Sequence, residues 1–399
     1  MADLRLPVLP LRSALHGRGD ELAQAVAGAF SREAGVEVVP DPAGARALPV
    51  RVLLVLTGGT EEAALTEAGA GRGVVLLSHP GHNALPAALE IAARLRAEGR
   101  PVRLVHLGAN TSDLPVLARA VALAGALRGK RVALVGEPSP WLVASSPPPA
   151  LLAKALGIEV VDIPLERVLR STPAEPTAGV EGPGHGIGSE ERAMGARVQA
   201  ALQRLVEEEG LDGLTIACFG LLPHRMTACW ALACLSDAGI PAGCEGDLPS
   251  LLALLIAQEL TGGPGFLANP ADADPRREVL TLAHCTVPLS LTRAHTLLSH
   301  FESGLGLAVA GELRPGPYTL VRFGGKDLGE GFFVEGTVLE ERVGREDLCR
   351  TQVRFKMPRG AIERLLREPL GNHHVLVPGH HRAVLAAFRD LLLVSPAGA

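Results

Sequence analysis

In AGCEGDLPSLLALL (Ala242–Leu255) a single acid, Glu245, stands between a cysteine and a glycine. It follows the strand-like GIPAGC and precedes a helix. In doubly wound α/β domains, ligands gather where strands end and helices begin. A carboxylate held there can bind a metal or move a proton, or it can simply complement the helix dipole. In GNHHVLVPGHH (Gly371–His381) one histidine pair precedes a strand and a second follows it. Histidine is a common metal ligand and titrates near neutrality, which makes His373 or His374 a candidate. His380 and His381 read as capping or solvent-facing groups. GFLANPADADPRREV (Gly265–Val279) ends another strand, and Asn269, Asp272 and Asp274 are placed on its loop. Such residues form turns or offer hard oxygen ligands.

LAHCTVP contains His284 and Cys285, and HFESG contains His300 and Glu302. Adjacent strand residues point to opposite faces, so His284 and Cys285 do not form a thiol–base pair, and a structural role is read for both. Glu302 lies beside His300 on a glycine-rich loop, where a carboxylate can reach a substrate. GEPSPWLVAS places Ser139, Trp141 and Ser145 after a strand. Trp141 can stack on the apolar face of a sugar ring or fill core space. SHPGHN places His79, His82 and Asn83 at the end of another strand. TGGT (Thr57–Thr60) hints at an anion-binding turn, but no early strand is followed by GxGxxG, which argues against a dinucleotide site.

These groups need strands and helices to hold them. VRVLLVLTGG, GVVLLSHPGHN and PVRLVHLGA are short apolar strands separated by helical patterns, the mark of a parallel sheet covered on both faces. KRVALVGEPSPWLVAS restarts the pattern, so a boundary is placed near residue 128. The Pro- and Gly-rich stretch Ser171–Glu190 reads as a loop or linker. After VLTLAHCTVP the pattern changes to glycine-punctuated runs such as YTLVRFGG, GFFVEGTVLEERV and CRTQVRFKM, which predict antiparallel strands. The chain closes with the helix HRAVLAAFRD and a last apolar strand. The expected fold is α/β: two doubly wound parallel-sheet domains (1–128 and 129–284) followed by a β-rich C-terminal domain (285–399).

The 399 residues are 47% apolar and only 3% aromatic, so the cores are built mainly from Leu, Val and Ala. A formal charge of −5 with scattered Lys and Arg gives no footprint for nucleic acid. Six cysteines without a CxxC pair argue against disulfides or structural zinc and for a reducing, cytoplasmic setting. No run of about 18 apolar residues predicts a membrane span, and the N-terminus does not read as a signal peptide.

The ordered set PSPWLVAS, ACFG, AGCEGDLPSLL, FLANP, LAHCTVP, HFESGLG, CRTQV and GNHH, spanning roughly Lys130 to Gly379, resembles the L-fucose isomerase-like family, which includes L-arabinose isomerase at greater distance. The resemblance implies a divalent-metal aldose–ketose isomerase that acts on a sugar through an enediol, with manganese as the usual ion and a trimeric or hexameric assembly. It implies that Glu245 and His373 are metal ligands, with the second carboxylate position falling on Asn269. Asn372, Trp141, Ser139 and His300 become substrate contacts, joined by His79 and Asn83 of a neighbouring subunit. Glu302 is the acid expected to supply the missing carboxylate as a catalytic group beside Glu245. An amide can ligate a hard cation but carries no charge and cannot act as a base. The rival expectations are therefore a sugar-binding or regulatory homologue without catalysis, or another metal-assisted reaction such as epimerisation.

Overall fold

The protein is described here from a computed structural model covering residues 4–14, 19–69, 73–175 and 179–394. The chain divides into two compact units, residues 1–128 with 383–399 and residues 129–382.

The first unit holds strands β1 (Arg5–Leu11), β2 (Glu37–Pro40), β3 (Arg51–Val55), β4 (Val74–Ser78) and β5 (Val102–His106) in one parallel sheet of order β2-β1-β3-β4-β5. Every residue of β4 is buried, as expected of a central strand covered on both faces. β1 is absent from the sequence reading because two prolines break its apolar pattern. The last apolar strand expected at the C-terminus is not formed. Leu391 and Leu392 instead complete the helix Arg382–Leu392, where Val384, Leu385, Phe388 and Leu391 recur at helical spacing and are buried. Residues 395–399 of that run lie outside the described residues.

The second unit begins with another parallel sheet, formed by β6 (Arg131–Val135), β7 (Glu159–Ile163), β8 (Gly213–Ile216) and β9 (Ala242–Cys244) in the order β7-β6-β8-β9. The stretch read as a linker lies within this unit. Its described part is pinned by a bridge from Gly184 to Leu297 and by Leu297 N donating to Pro183 O at 2.8 Å; residues 176–178 lie outside the described residues.

The β-rich part contains β10 (Phe266–Asp274), β11 (Val279–His284), the hairpin β12 (Thr292–Leu298) and β13 (Ala308–Leu313), then β14 (Gly316–Gly324), β15 (Glu330–Val338), β16 (Thr351–Lys356) and β17 (His374–Pro378). Six of these strands close a barrel in the order β10-β11-β16-β15-β14-β17. Phe266, Ala268, Leu282, Leu320, Phe355 and Leu376 share its core. Asn269, Asp272 and Asp274 are therefore residues of β10 and not of a loop, with a register shift between Pro270 and Asp272.

Candidate metal centre and substrate site

The chain leaves β9 at Cys244 and turns sharply into the helix Leu248–Thr261. Glu245 and Gly246 make that turn with φ of 63° and 75°. For a glutamate this left-handed backbone costs of order 1 kcal/mol. A Cβ at residue 246 would lie 2.7 Å from Pro138 Cα, so only glycine fits there. The strain places the Glu245 side chain at the end of the parallel sheet. It is only 8% exposed, and Trp141 Nε1 donates to its Oε2 at 2.6 Å. Ser139 N donates to the Glu245 carbonyl at 2.9 Å, tying the Ser139–Trp141 loop to the turn. Trp141 does not fill core space. It is 50% exposed and packs edge-on to Phe219 at 4.8 Å, and Phe219 in turn packs edge-on to His300 at 5.7 Å.

His373 precedes β17. Ala268 pairs with His374 in the β10–β17 register, and His374 turns into the barrel, edge-on to Phe332 at 5.7 Å. Side chains alternate faces along a strand, so His373 points the other way. Its Nε2 lies 3.6 Å from Glu245 Oε1. Continuing the same register sets Asn269 opposite His373 on β10.

Asp247, absent from the sequence reading, anchors this arrangement. It is fully buried and caps the helix by accepting from Ser250 N at 2.8 Å. It also meets His373 Nδ1 at 3.0 Å and accepts from Arg322 Nη1 through both oxygens at 3.1 and 3.0 Å. Arg322 is likewise buried and donates to Ser250 Oγ at 2.9 Å and Ser145 Oγ at 2.6 Å. Ser145 thus serves Arg322 and not a ligand. Gly371, with φ of 141°, lets Arg322 reach it, since a Cβ there would sit 2.5 Å from Arg322 Nη2.

His284, at the end of β11, closes the group. Its Nε2 is 3.3 Å from Cys244 Sγ, its Nδ1 is 2.9 Å from Thr286 Oγ1, and its ring lies 5.7 Å from that of His373. Cys285 packs instead in a separate buried cluster with Cys229 and Ala308, against which Cys349 rests.

The charges follow from these contacts. Burial alone would raise the Glu245 carboxyl, but the nearby His373 and the Trp141 N–H outweigh it and hold the acid below its usual range. Asp247 falls to about 2, because Arg322 and His373 overcome its burial. Burial opposes a charge on His373, yet Asp247 and Glu245 raise it to about 9. The two carboxylates therefore create a potential that favours positive charge at His373 Nε2. Burial and the neighbouring His373 keep His284 neutral, at about 3. Burial and the Glu245 charge raise the Glu302 carboxyl, which is exposed on the turn after β12. His300 is lowered by burial and Arg350, with Nδ1 3.0 Å from Ser303 Oγ.

Three observations bear on a cation. The donor atoms of Cys244, Glu245, His284 and His373 all lie within 4.8 Å of one another. His373 Nε2 and Asn269 Oδ1 are buried and lack a hydrogen-bond partner. Buried polar atoms are normally paired, and an ion is one way to pair them. Finally, Asp247 holds His373 by Nδ1, the outer-shell contact that fixes a ligating imidazole. The residues present therefore fit a divalent ion.

Asn372 is exposed next to His373. In the first unit, His79 is buried with Nε2 3.0 Å from Leu56 O and Nδ1 3.2 Å from Pro80 O, whereas Asn83 is exposed. A cleft of about 900 Å³ at the ends of β6 and β7 shares Pro138 and Ser139 with the site, but Glu245, His284 and His373 are not among its lining residues.

Trp141→Phe should keep the ring and remove the indole N–H. Hydrogen bonds to charged groups contribute about 1.5–3 kcal/mol, so metal affinity measured by calorimetry should fall about tenfold to a hundredfold. An unchanged affinity would show that Trp141 does not orient Glu245.

No helix among the described residues is long and apolar enough to cross a membrane. No family profile matches the chain. Over 106 residues the chain is 34% identical to sulfoquinovose isomerase from Clostridium sp. (strain MSTE9). That stretch is 25% of this chain and spans about a quarter of the relative's length, 23%. Over that part of its length the chain is similar to a sugar isomerase.

Proposed function

We propose that the protein is a divalent-metal-dependent aldose–ketose isomerase acting on a sugar at the site around Glu245 and His373. The observation that supports this best is the meeting of Glu245 Oε1 and His373 Nε2, 3.6 Å apart and both braced from behind, by Trp141 and Asp247 respectively. Partial likeness to a sugar isomerase points the same way. Glu245, His373 and Asn269 would hold the ion, with His284 beside them; manganese is the expected metal. Bound there, the ion supplies charge neutralisation for negative charge developing on two neighbouring sugar oxygens.

Isomerisation moves one proton from C2 to C1 and one from the C2 hydroxyl to the C1 oxygen, with no net gain or loss of electrons. Glu245, held ionised, fixes the polar end of the site. Glu302 feels the Glu245 charge, and its raised affinity for protons suits a group that accepts and returns one. His300, kept neutral, can exchange a hydrogen bond with a sugar hydroxyl. The exposed Trp141 ring, backed by Phe219, offers an apolar face to the sugar's C–H bonds. Ser139, tied to the Glu245 turn, and Asn372, next to His373, are assigned sugar contacts in this reading. We take the working form to be a homo-oligomer in which Asn83, and His79 if its loop rearranges, reach the site of a neighbouring subunit.

Asn269 favours a second reading, in which the fold binds a sugar without converting it. Glu302→Gln separates the two. A general base contributes roughly a hundredfold or more to rate, so this variant should lose at least that much turnover while still binding sugar; a loss of less than that would remove Glu302 from the mechanism. The broader test is a sugar panel that includes sulfoquinovose, L-fucose and L-arabinose, run on metal-stripped and Mn2+-reloaded protein. Ketose formed only after reloading is the expected result. Binding without conversion under every condition would overturn the isomerase reading.

A further inference from the structure

The donor set at this centre is softer than an isomerase ion requires. Cys244 and His284 contribute sulfur and nitrogen beside Glu245 and His373, all four buried. Two of the separations are 3.3 Å, for Cys244 Sγ to His284 Nε2, and 3.6 Å, for His373 Nε2 to Glu245 Oε1. A tetrahedral centre with bonds of roughly 2.0–2.3 Å has edges of about 3.3–3.8 Å. These two edges therefore already match four-coordinate zinc.

The outer contacts also suit such a centre. Each histidine has Nδ1 against an acceptor, Asp247 for His373 and Thr286 for His284. With Nδ1–H donated there, both Nε2 lone pairs face the centre. Cys244 Sγ stands where a thiol proton points at His284 Nε2, and that proton is the one a metal would replace. All four residues lie at strand ends or beside them: β9 for Cys244 and Glu245, β11 for His284 and β17 for His373.

We propose that Cys244, Glu245, His284 and His373 form a thiophilic metal site for a zinc-class divalent cation, closed by four protein ligands and therefore inhibitory. The proposal rests on the reading of Glu245 and His373 as metal ligands. On binding, the Cys244 Sγ–metal bond forms as the thiol proton passes to solvent, with no change of oxidation state. The free thiol has its proton toward His284 Nε2, 3.3 Å away, so the ion itself makes the thiolate. Thiolate and imidazole favour zinc and cobalt over manganese and magnesium, which prefer oxygen. Because Glu245 and His373 are common to both modes, zinc displaces the turnover ion. Four protein ligands then leave no position for two sugar oxygens.

The test titrates metal-stripped protein separately with Co2+, Zn2+ and Mn2+. Wild-type protein with Co2+ should show thiolate-to-metal charge-transfer absorption and the intense visible bands of tetrahedral cobalt, both erased by Zn2+. Cys244→Ser should remove the charge-transfer band and lower Zn2+ affinity by at least about tenfold to a hundredfold, with a far smaller change for Mn2+. Cys218→Ser should keep the band. Mn2+ binding together with a wild-type Co2+ spectrum that lacks the sulfur band would overturn the proposal alone, and this result does not depend on any variant folding. Failure to bind any of the three ions would overturn it together with the metal-centre reading on which it rests.

Discussion

Glu245→Gln should lower turnover about a thousandfold or more, equivalent to about 4 kcal/mol of transition-state stabilisation, while leaving a folded protein. The amide keeps the shape of the side chain and can still meet the Trp141 N–H through its oxygen. What it loses is the charge that faces His373 Nε2. In the proposed mechanism that charge would help hold the cation and balance a buried imidazole, so metal affinity and rate should fall together. Steady-state kinetics at saturating metal separate the two: a defect cured entirely by excess ion would limit Glu245 to metal binding. Turnover within tenfold of wild type at ordinary metal concentration would remove Glu245 from the site's chemistry.

The second large effect concerns stability. Arg322→Met should destabilise the second unit by about 3–5 kcal/mol, because it leaves Asp247 charged, fully buried and short of its strongest partner. Both tryptophans, Trp141 and Trp230, belong to residues 129–382, so denaturant unfolding followed by tryptophan fluorescence reports on that unit. Adding Asp247→Leu to Arg322→Met removes the orphaned charge and should restore part of the loss, although His373 then loses its anchor. If the double variant is no more stable than the single, the cost lies in packing around Arg322 and not in the ion pair.

Parts of this were legible in the sequence for physical reasons. The parallel sheets showed because buried strands such as β4 are apolar along their whole length. Glu245 stood out because the three-residue β9 ends directly before it and a capped helix follows. The choice between His373 and His374 was not legible, since a shift of one residue reverses the face, and only the pairing of Ala268 with His374 decides it. Asn269 was placed on a loop because PADAD has turn composition, yet antiparallel pairing with β11 carries the strand through it. Asp247 drew no reading of its own, because an acid at the start of a helix is ordinary. The available signal was Arg322, a lone cation in the apolar strand YTLVRFGG, which requires a buried acid somewhere in the fold. Trp141 was ambiguous because an aromatic after a strand can face either way. Its hydrogen bond spans 104 positions in the sequence, beyond the reach of any local pattern.

The most direct test of the central claim is solvent isotope incorporation. Protein reloaded with Mn2+ would be incubated with each converted or bound sugar in deuterated water, and the sugars examined by NMR. An enediol route through this site predicts deuterium at C1 of the ketose and C2 of the aldose from wild-type protein, and none from metal-stripped protein or Glu245→Gln. Label entering equally with Glu245→Gln or without metal, or conversion with no label under every condition, would contradict proton transfer at the Glu245–His373 centre.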